Sequence, residues 1–341
     1  MARLRVALVG AGRAGAVHAG NLADYAARAE LAAVVDERRE AAEVLAGRFA
    51  AAALPDFEQA LGGVDAVVIA APTFTHRDLA VRAAEAGKHV FCEKPMALTI
   101  GECDEMIAAA ERAGVVLQIG FMRRFQPEFA EARRRIEAGD LGLPMVIKSL
   151  TRGPGLPPPW AWDIERSNGM LAEVNSHDFD CVRWLAGAEI ERVYAEVAHF
   201  KGRERGVDAA DFYDSAVVSL RFASGAIGTI DGTCPADYGY DARVEVVCSD
   251  GLLVVGDLRG TAILEVRDRD VGTVTPLHRT WPDRFRDAYR AEMRAFVESA
   301  LAGEAPAVTG ADGRAAVAAV RAANRSWREG RPVAPAEEAP A

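Results

Sequence analysis

Apolar positions in the first third of the chain fall into short, dense runs. Leu4 to Val9, Leu31 to Val35, Val64 to Ala70, Val90 to Cys92 and Val115 to Ile119 are too short for helices and apolar at almost every position, as strands buried on both faces are. Amphipathic stretches with helical spacing fill the gaps. Alternation of the two predicts right-handed crossovers and a parallel sheet covered by helices on both sides, the doubly wound α/β class.

After Arg124 the pattern changes. A helix near Glu128 to Ala138 and a turn at Gly139 to Gly142 precede a strand at Pro144 to Leu150, and the Gly153 to Pro159 stretch, with four prolines, must be an irregular loop. One helix is predicted at about Gly169 to Ala186. Strand-like runs follow at Arg192 to Phe200, Ser215 to Phe222, Ala226 to Asp231, Val244 to Cys248, Leu252 to Val255 and Ala262 to Val266. Ala223-Ser224-Gly225 and Ser249-Asp250-Gly251 read as hairpin turns, so this second sheet is expected to be large, open and mostly antiparallel. Helices near Asp283 to Leu301 and Asp312 to Arg328 close the fold, and the Pro/Ala/Glu-rich segment from Ala334 is expected to be disordered. The expected division is an α/β domain over 1–122, an α+β substrate and oligomerisation domain over 123–334, and a disordered tail over 335–341. The chain carries no internal repeats.

Length and composition narrow the function. At roughly 150 residues per domain, 341 residues allow about two domains, each with a real core. A net charge of -10 argues against nucleic acid and anionic membrane as partners, which both call for positive surface, and suits a neutral or cationic ligand. Five scattered cysteines without a Cys-x-x-Cys pair suggest neither a disulfide framework nor a zinc site. No cleavable signal pattern is evident and no apolar run approaches the ~18 residues of a membrane helix, so a reducing cytoplasm is expected. Of the 40 basic residues only Lys88, Lys94, Lys148 and Lys201 are lysine, leaving 36 arginines, which we read as GC-rich codon usage. Each remaining lysine therefore raises the question of what arginine could not do there.

The first strand runs into Gly10-Ala11-Gly12-Arg13-Ala14-Gly15, a G-x-G-x-x-G opening a helix. Such glycines allow a tight turn and close backbone approach to a pyrophosphate at a helix N-terminus, the Rossmann arrangement. Asp36 ends the second strand 21 residues after Gly15, where a carboxylate can accept hydrogen bonds from an adenosine ribose. That favours NAD over NADP. A 2'-phosphate would be repelled by Asp36, yet Arg38 and Arg39 follow at once and could offset it, so NADP stays open. Ala71-Pro72-Thr73-Phe74-Thr75-His76 and Cys92-Glu93-Lys94-Pro95 both follow strands, beyond the carboxyl ends where open α/β sheets bind ligands.

Together with Gly120-Phe121-Met122-Arg123-Arg124-Phe125, the helix bearing His177, and Asp312-Gly313 opening the last helix, these motifs make nearly the whole chain resemble the glucose-fructose oxidoreductase, inositol dehydrogenase and MocA family. The resemblance implies a Rossmann domain followed by an α/β domain on an open sheet. It implies that Lys94 and His177 flank the substrate hydroxyl, that a cis peptide precedes Pro95, and that Glu93 lies near the nicotinamide ribose. Ala71, Thr73 and His76 would join the cofactor site, and Arg123 and Arg124 look like the family's positions lining the substrate cleft. The chemistry agrees: oxidising a carbinol needs a base for the hydroxyl proton and a donor for the developing oxyanion, and a lysine, unlike an arginine, can give up its proton. His177 is expected to be the base and Lys94 the donor, with those roles exchangeable.

On the single helix predicted from Gly169, Glu173, His177, Asp180 and Trp184 fall at i, i+4, i+7 and i+11 and share one face. A carboxylate one turn before a histidine can fix its tautomer and favour its charged form. Most members of the family place Asp where this chain has Glu173, whose longer side chain could orient His177 or reach the substrate. A metal reading of Glu173 and His177 lacks a third ligand at suitable spacing. Trp160, Asn168 and Asn175 are candidate substrate contacts, since sugars stack on indole rings; Trp162 could wall the same pocket, and packing accounts equally for either tryptophan. Asp178 flanks this helix face, and His18, His89, His199 and His278 carry no assigned role.

These features predict an NAD-dependent dehydrogenase that oxidises a secondary ring hydroxyl of a sugar or cyclitol to a ketone. The acidic balance adds a narrower expectation, a cationic amino sugar such as a unit of an aminoglycoside antibiotic. A dinucleotide-binding regulator without catalysis and a reductase of an imine, pyrrole or dihydrodiol are the alternatives. An open sheet with an apolar outer face predicts a homodimer or homotetramer.

Overall fold

A computed structural model describes residues 3–257, 277–338 and the short strands Glu265–Val266 and Thr273–Val274. The rest of the strand expected at Ala262 to Val266 lies outside the described residues. Two compact units result, one from residues 3–125 and 287–317, the other from 126–286 and 318–338.

The first unit follows the predicted alternation: β1 (Leu4–Val9), α1 (Arg13–Asp24), β2 (Ala29–Val35), α2 (Arg39–Arg48), β3 (Ala52–Leu54), α3 (Phe57–Leu61), β4 (Ala66–Ile69), α4 (His76–Glu85), β5 (His89–Glu93), α5 (Ile100–Ala113) and β6 (Leu117–Gly120). The six strands pair in parallel in the order β3-β2-β1-β4-β5-β6. Sequence reading missed β3 because this edge strand exposes two of its three residues and offers no apolar run. Alternate residues of each strand serve two cores. Leu4, Val6 and Leu8 pack with Ala19, Leu22 and Leu45 on one face, and Ala7 and Val9 with Phe57, Ala83 and Met106 on the other.

The second unit comprises α6 (Pro127–Glu137), β7 (Pro144–Arg152), α7 (Ile164–Ser167), α8 (Gly169–Glu173), α9 (Ser176–Ala186), β8 (Ile190–Ala198), α10 (Lys201–Glu204), β9 (Ser215–Phe222), β10 (Ile227–Thr233), β11 (Asp241–Cys248) and β12 (Leu252–Val255), then the paired β13 (Glu265–Val266) and β14 (Thr273–Val274), and α11 (Trp281–Arg284). Its main sheet runs β12-β11-β7-β10-β9-β8, antiparallel except where β7 meets β10. Both expected hairpins form, β9 with β10 and β11 with β12. One face buries Val218, Leu220, Ile230 and Val246, while Val217, Ile227, Leu252 and Val254 are exposed. Among the described residues no helix is long and apolar enough to cross a membrane.

Three expectations need correction. The helix expected from Gly169 to Ala186 is broken at Val174 and Asn175 into α8 and α9, with Asn175 at φ -93°, ψ 0°. Residues 287–317 belong to the first unit rather than to the substrate domain. Met293, Phe296, Val297 and Ala300 of α12 (Arg286–Ala302) fill the core face of Leu4, Val6 and Leu8, and Phe296 meets Phe91 edge-on at 5.7 Å. The opening residues of α13 (Gly310–Glu329) likewise supply Ala316 and Val317 to the opposite face. Finally, where disorder was expected, 335–337 form a 3-10 turn and Glu338 pairs with Arg321 and Arg325; 339–341 lie outside the described residues.

Candidate active site

In the first unit, the expected cofactor residues gather at the carboxyl ends of β1, β2, β4 and β5. The loop after β1 is closely packed at two of its glycines and open at the third. Gly10 adopts φ +99°, and a Cβ there would lie 2.4 Å from the Ala70 carbonyl oxygen. A Cβ on Gly15 would sit 1.9 Å from the Gly10 carbonyl oxygen, whereas at Gly12 it would meet nothing within 4 Å, leaving the backbone open to a ligand. Arg13 and Ala14 open α1, whose N-terminus has no side-chain cap and no acidic residue in its first turn, so no carboxylate of that turn offsets the positive end of its dipole.

Asp36 closes on this loop, accepting from the Ala11 N–H at 2.7 Å and the Arg38 N–H at 2.9 Å. Arg38 Nε stands 3.6 Å from the same carboxylate, while Arg39 is committed to Glu43 at 2.7 Å. Ala71 and Thr73 line the exit of β4. His76 is buried, with its ring nitrogens 2.9 Å from the carbonyls of Ala71 and Pro95. Burial lowers its pKa despite those carbonyls, so the neutral ring donates to one of them and ties the β4 and β5 exits together.

Glu93 ends β5 and Lys94 follows it, and the Lys94–Pro95 peptide is cis. Glu93 is buried, its Oε1 2.7 Å from His18 Nε2 and its Oε2 accepting from the Lys94 N–H at 3.0 Å. Gly120 makes room for this side chain: a Cβ there would come within 3.1 Å of Glu93 Oε2. Burial works to raise the Glu93 carboxyl, but the His18 hydrogen bond, the His18 charge and Lys94 outweigh it and hold it low. A second carboxyl, Glu292 on α12, is fully buried nearby, and neither of its oxygens has a hydrogen-bond partner among the described residues. Burial first, and the Glu93 charge second, push its pKa well above the carboxylate range. Glu93 is thus biased toward its charged form and Glu292 toward its protonated one. Sequence reading left His18 unassigned and overlooked Glu292; the only signal was a polar residue on an otherwise apolar helix face, Gly15, His18, Ala19 and Leu22 for α1.

Arg123 and Arg124 lie in a 3-10 turn after β6. Arg123 is buried, and Arg124 bonds Asp312 at 2.9 Å in the first turn of α13. That carboxylate also accepts from the N–H and hydroxyl of Thr309, so Arg124 is fixed as a strut of this unit.

The second unit carries the other candidates on consecutive segments. Asn168 takes a left-handed φ of +60°, and its carbonyl accepts from Asn324, which itself accepts from the buried Tyr213 hydroxyl at 2.7 Å. Glu173 ends α8, so it sits one helix before His177 instead of one turn before it on the same helix. His177 and Asp180 are buried in the first turns of α9, with Trp184 one turn further on. Asn175 is fully buried and its amide donates to Asp178 at 2.8 Å. Trp160 is half-buried; Trp162 packs edge-on against Phe212 and donates to the Pro157 carbonyl, bracing the proline loop.

Residues 4–121 match an oxidoreductase family with an NAD-binding Rossmann fold, and residues 129–254 match the GFO/IDH/MocA C-terminal domain. The chain belongs to this family. It is an NAD-dependent oxidoreductase acting on a CH–OH group. Within the family it is 37% identical to myo-inositol 2-dehydrogenase of Thermotoga maritima over 333 residues, covering 97% of this chain and 98% of that one. It is 34% identical to the NAD-dependent scyllo-inositol 2-dehydrogenase of Bacillus subtilis, covering 97% and 96%. A crystal structure of GenD2 from gentamicin A biosynthesis in complex with NAD superposes with a TM-score of 0.87 at 30% identity, covering 98% and 97%.

Proposed function

We propose that the protein oxidises a secondary ring hydroxyl of a cyclitol to the ketone. Full-length similarity to inositol 2-dehydrogenases carries this reading. When bound, NAD supplies the hydride acceptor. Gly10, Gly12 and the α1 N-terminus would bind its pyrophosphate, and Asp36 its adenosine ribose. His177 would take the hydroxyl proton, and the Lys94 ammonium would stabilise the developing oxyanion. Glu173 would orient His177 or contact the ring, with Trp160 and Asn168 on the substrate side. The exposed apolar residues Val217, Ile227, Leu252 and Val254 support burial of the sheet's outer face in a homodimer or homotetramer. A cytoplasmic location fits the five cysteines, which are buried and form no disulfide among the described residues.

Likeness to GenD2 and the charge of -10 favour a second reading, an amino-bearing ring as substrate. NAD reduction assayed with myo-inositol, scyllo-inositol, neutral sugars and aminoglycoside pseudosaccharides compares the readings directly. Turnover confined to neutral polyols removes the amino-sugar reading, and silence across the panel removes both. Lys94→Ala and His177→Ala should each lose about a hundredfold or more in kcat with NAD binding intact, as expected for loss of a general acid or base.

A further inference from the structure

The first turn of α9 is keyed into the sheet by a polar lock, which the assignment of His177 as base does not require. Asp178 is fully buried, yet its oxygens accept from Ser149 Oγ at 2.5 Å, Thr151 Oγ1 at 2.6 Å and Asn175 Nδ2 at 2.8 Å. Ser149 and Thr151 are alternate residues of β7 and so face the helix together. Beside Thr151 in the parallel ladder stands Gly232 of β10, where a Cβ would come within 2.1 Å of Asn175 Oδ1. Two hydroxyls and one missing side chain thus form a seat that fits Asn175 and Asp178. At the other end of α9, Arg133 donates to the Trp184 carbonyl.

We propose that Asp178 is the positioning residue for His177. The inference rests on the reading of His177 as base. Successive helical residues project about 100° apart, so anchoring Asn175 and Asp178 to the sheet fixes the direction in which His177 points. A helix turned by some tens of degrees would carry the imidazole roughly an ångström or more off line, and a misplacement of that size is worth about a hundredfold in rate.

Thr151→Val keeps the shape and removes one hydroxyl donor, whereas Thr151→Ser keeps the hydroxyl. With myo-inositol and NAD, T151V and D178N should lower kcat at least tenfold, with NAD affinity and KM for NAD unchanged, and T151S should stay within about twofold of wild type. Should D178N fail to fold, the T151V and T151S pair decides. If H177A is inactive while T151V keeps wild-type kcat, the lock does not position the histidine and the proposal fails alone. If H177A turns over normally, the base assignment fails and takes the proposal with it.

Discussion

Replacing Glu292 by methionine should stabilise the first unit, by an amount that depends on pH. The native carboxyl is fully buried, neither oxygen has a hydrogen-bond partner among the described residues, and Glu93 is the charged neighbour acting on it. Burying such a group costs about 1–3 kcal/mol, which a methionine of similar shape avoids. A pH-dependent part adds to this. In the unfolded chain the carboxyl ionises near its ordinary pKa of 4.5, but in the folded state it holds its proton well above that. Below pH 4.5 both states are protonated and the group contributes no slope. As pH rises beyond it, only the unfolded state releases the proton, and the native chain loses about 1.4 kcal/mol per pH unit until the folded carboxyl also ionises. The advantage of E292M should therefore be smallest near pH 4.5 and grow toward neutrality. Tryptophan fluorescence is the wrong probe, because Trp160, Trp162, Trp184, Trp281 and Trp327 all lie in the second unit. Urea unfolding at fixed protein concentration, followed by hydrogen exchange of the β1, β4 and β5 amides from pH 4.5 to 7.5, reads the first unit directly. Parallel pH profiles for the two proteins, or a less stable E292M at pH 7, would refute a neutral, unpartnered Glu292.

Two other changes test neighbouring claims. His18→Leu removes the partner of a buried carboxylate and should cost about 3–5 kcal/mol, read as a lowered unfolding midpoint by circular dichroism; a loss under about 1 kcal/mol would mean that Glu93 is satisfied without His18. Ala50 is exposed with φ +54° just after α2, so Ala50→Gly relieves about 1–2 kcal/mol of left-handed strain against about 0.5–1 kcal/mol of chain entropy, and a net gain of about 0.5–1 kcal/mol is expected; destabilisation would contradict the left-handed geometry.

Much of the architecture was legible because its signals are local. The alternation of dense apolar runs with amphipathic stretches led to the parallel sheet, and Ser249-Asp250-Gly251 led to a hairpin whose register follows. The G-x-G-x-x-G loop was equally readable, since its glycines answer to contacts with Ala70 and with the loop itself. The unbroken helix from Gly169 was wrong because helical spacing continues through Asn175, while the break is imposed by Ser149, Thr151 and Gly232 on strands distant in sequence. Residues 287–317 were misassigned for a similar reason: an amphipathic helix shows that it has an apolar face but not which sheet receives it.

Residue types and their spacing thus determined the fold class, the glycine-rich loop after β1 and the family, because each depends on residues close together in the chain. Tertiary structure alone decided that His18 serves Glu93, that burial raises the Glu292 carboxyl, that Arg124 bonds Asp312 and that Asn175 turns inward. The protonation and orientation of a buried polar group depend on what surrounds it in space, and those neighbours lie up to 199 residues away, as Glu93 and Glu292 do.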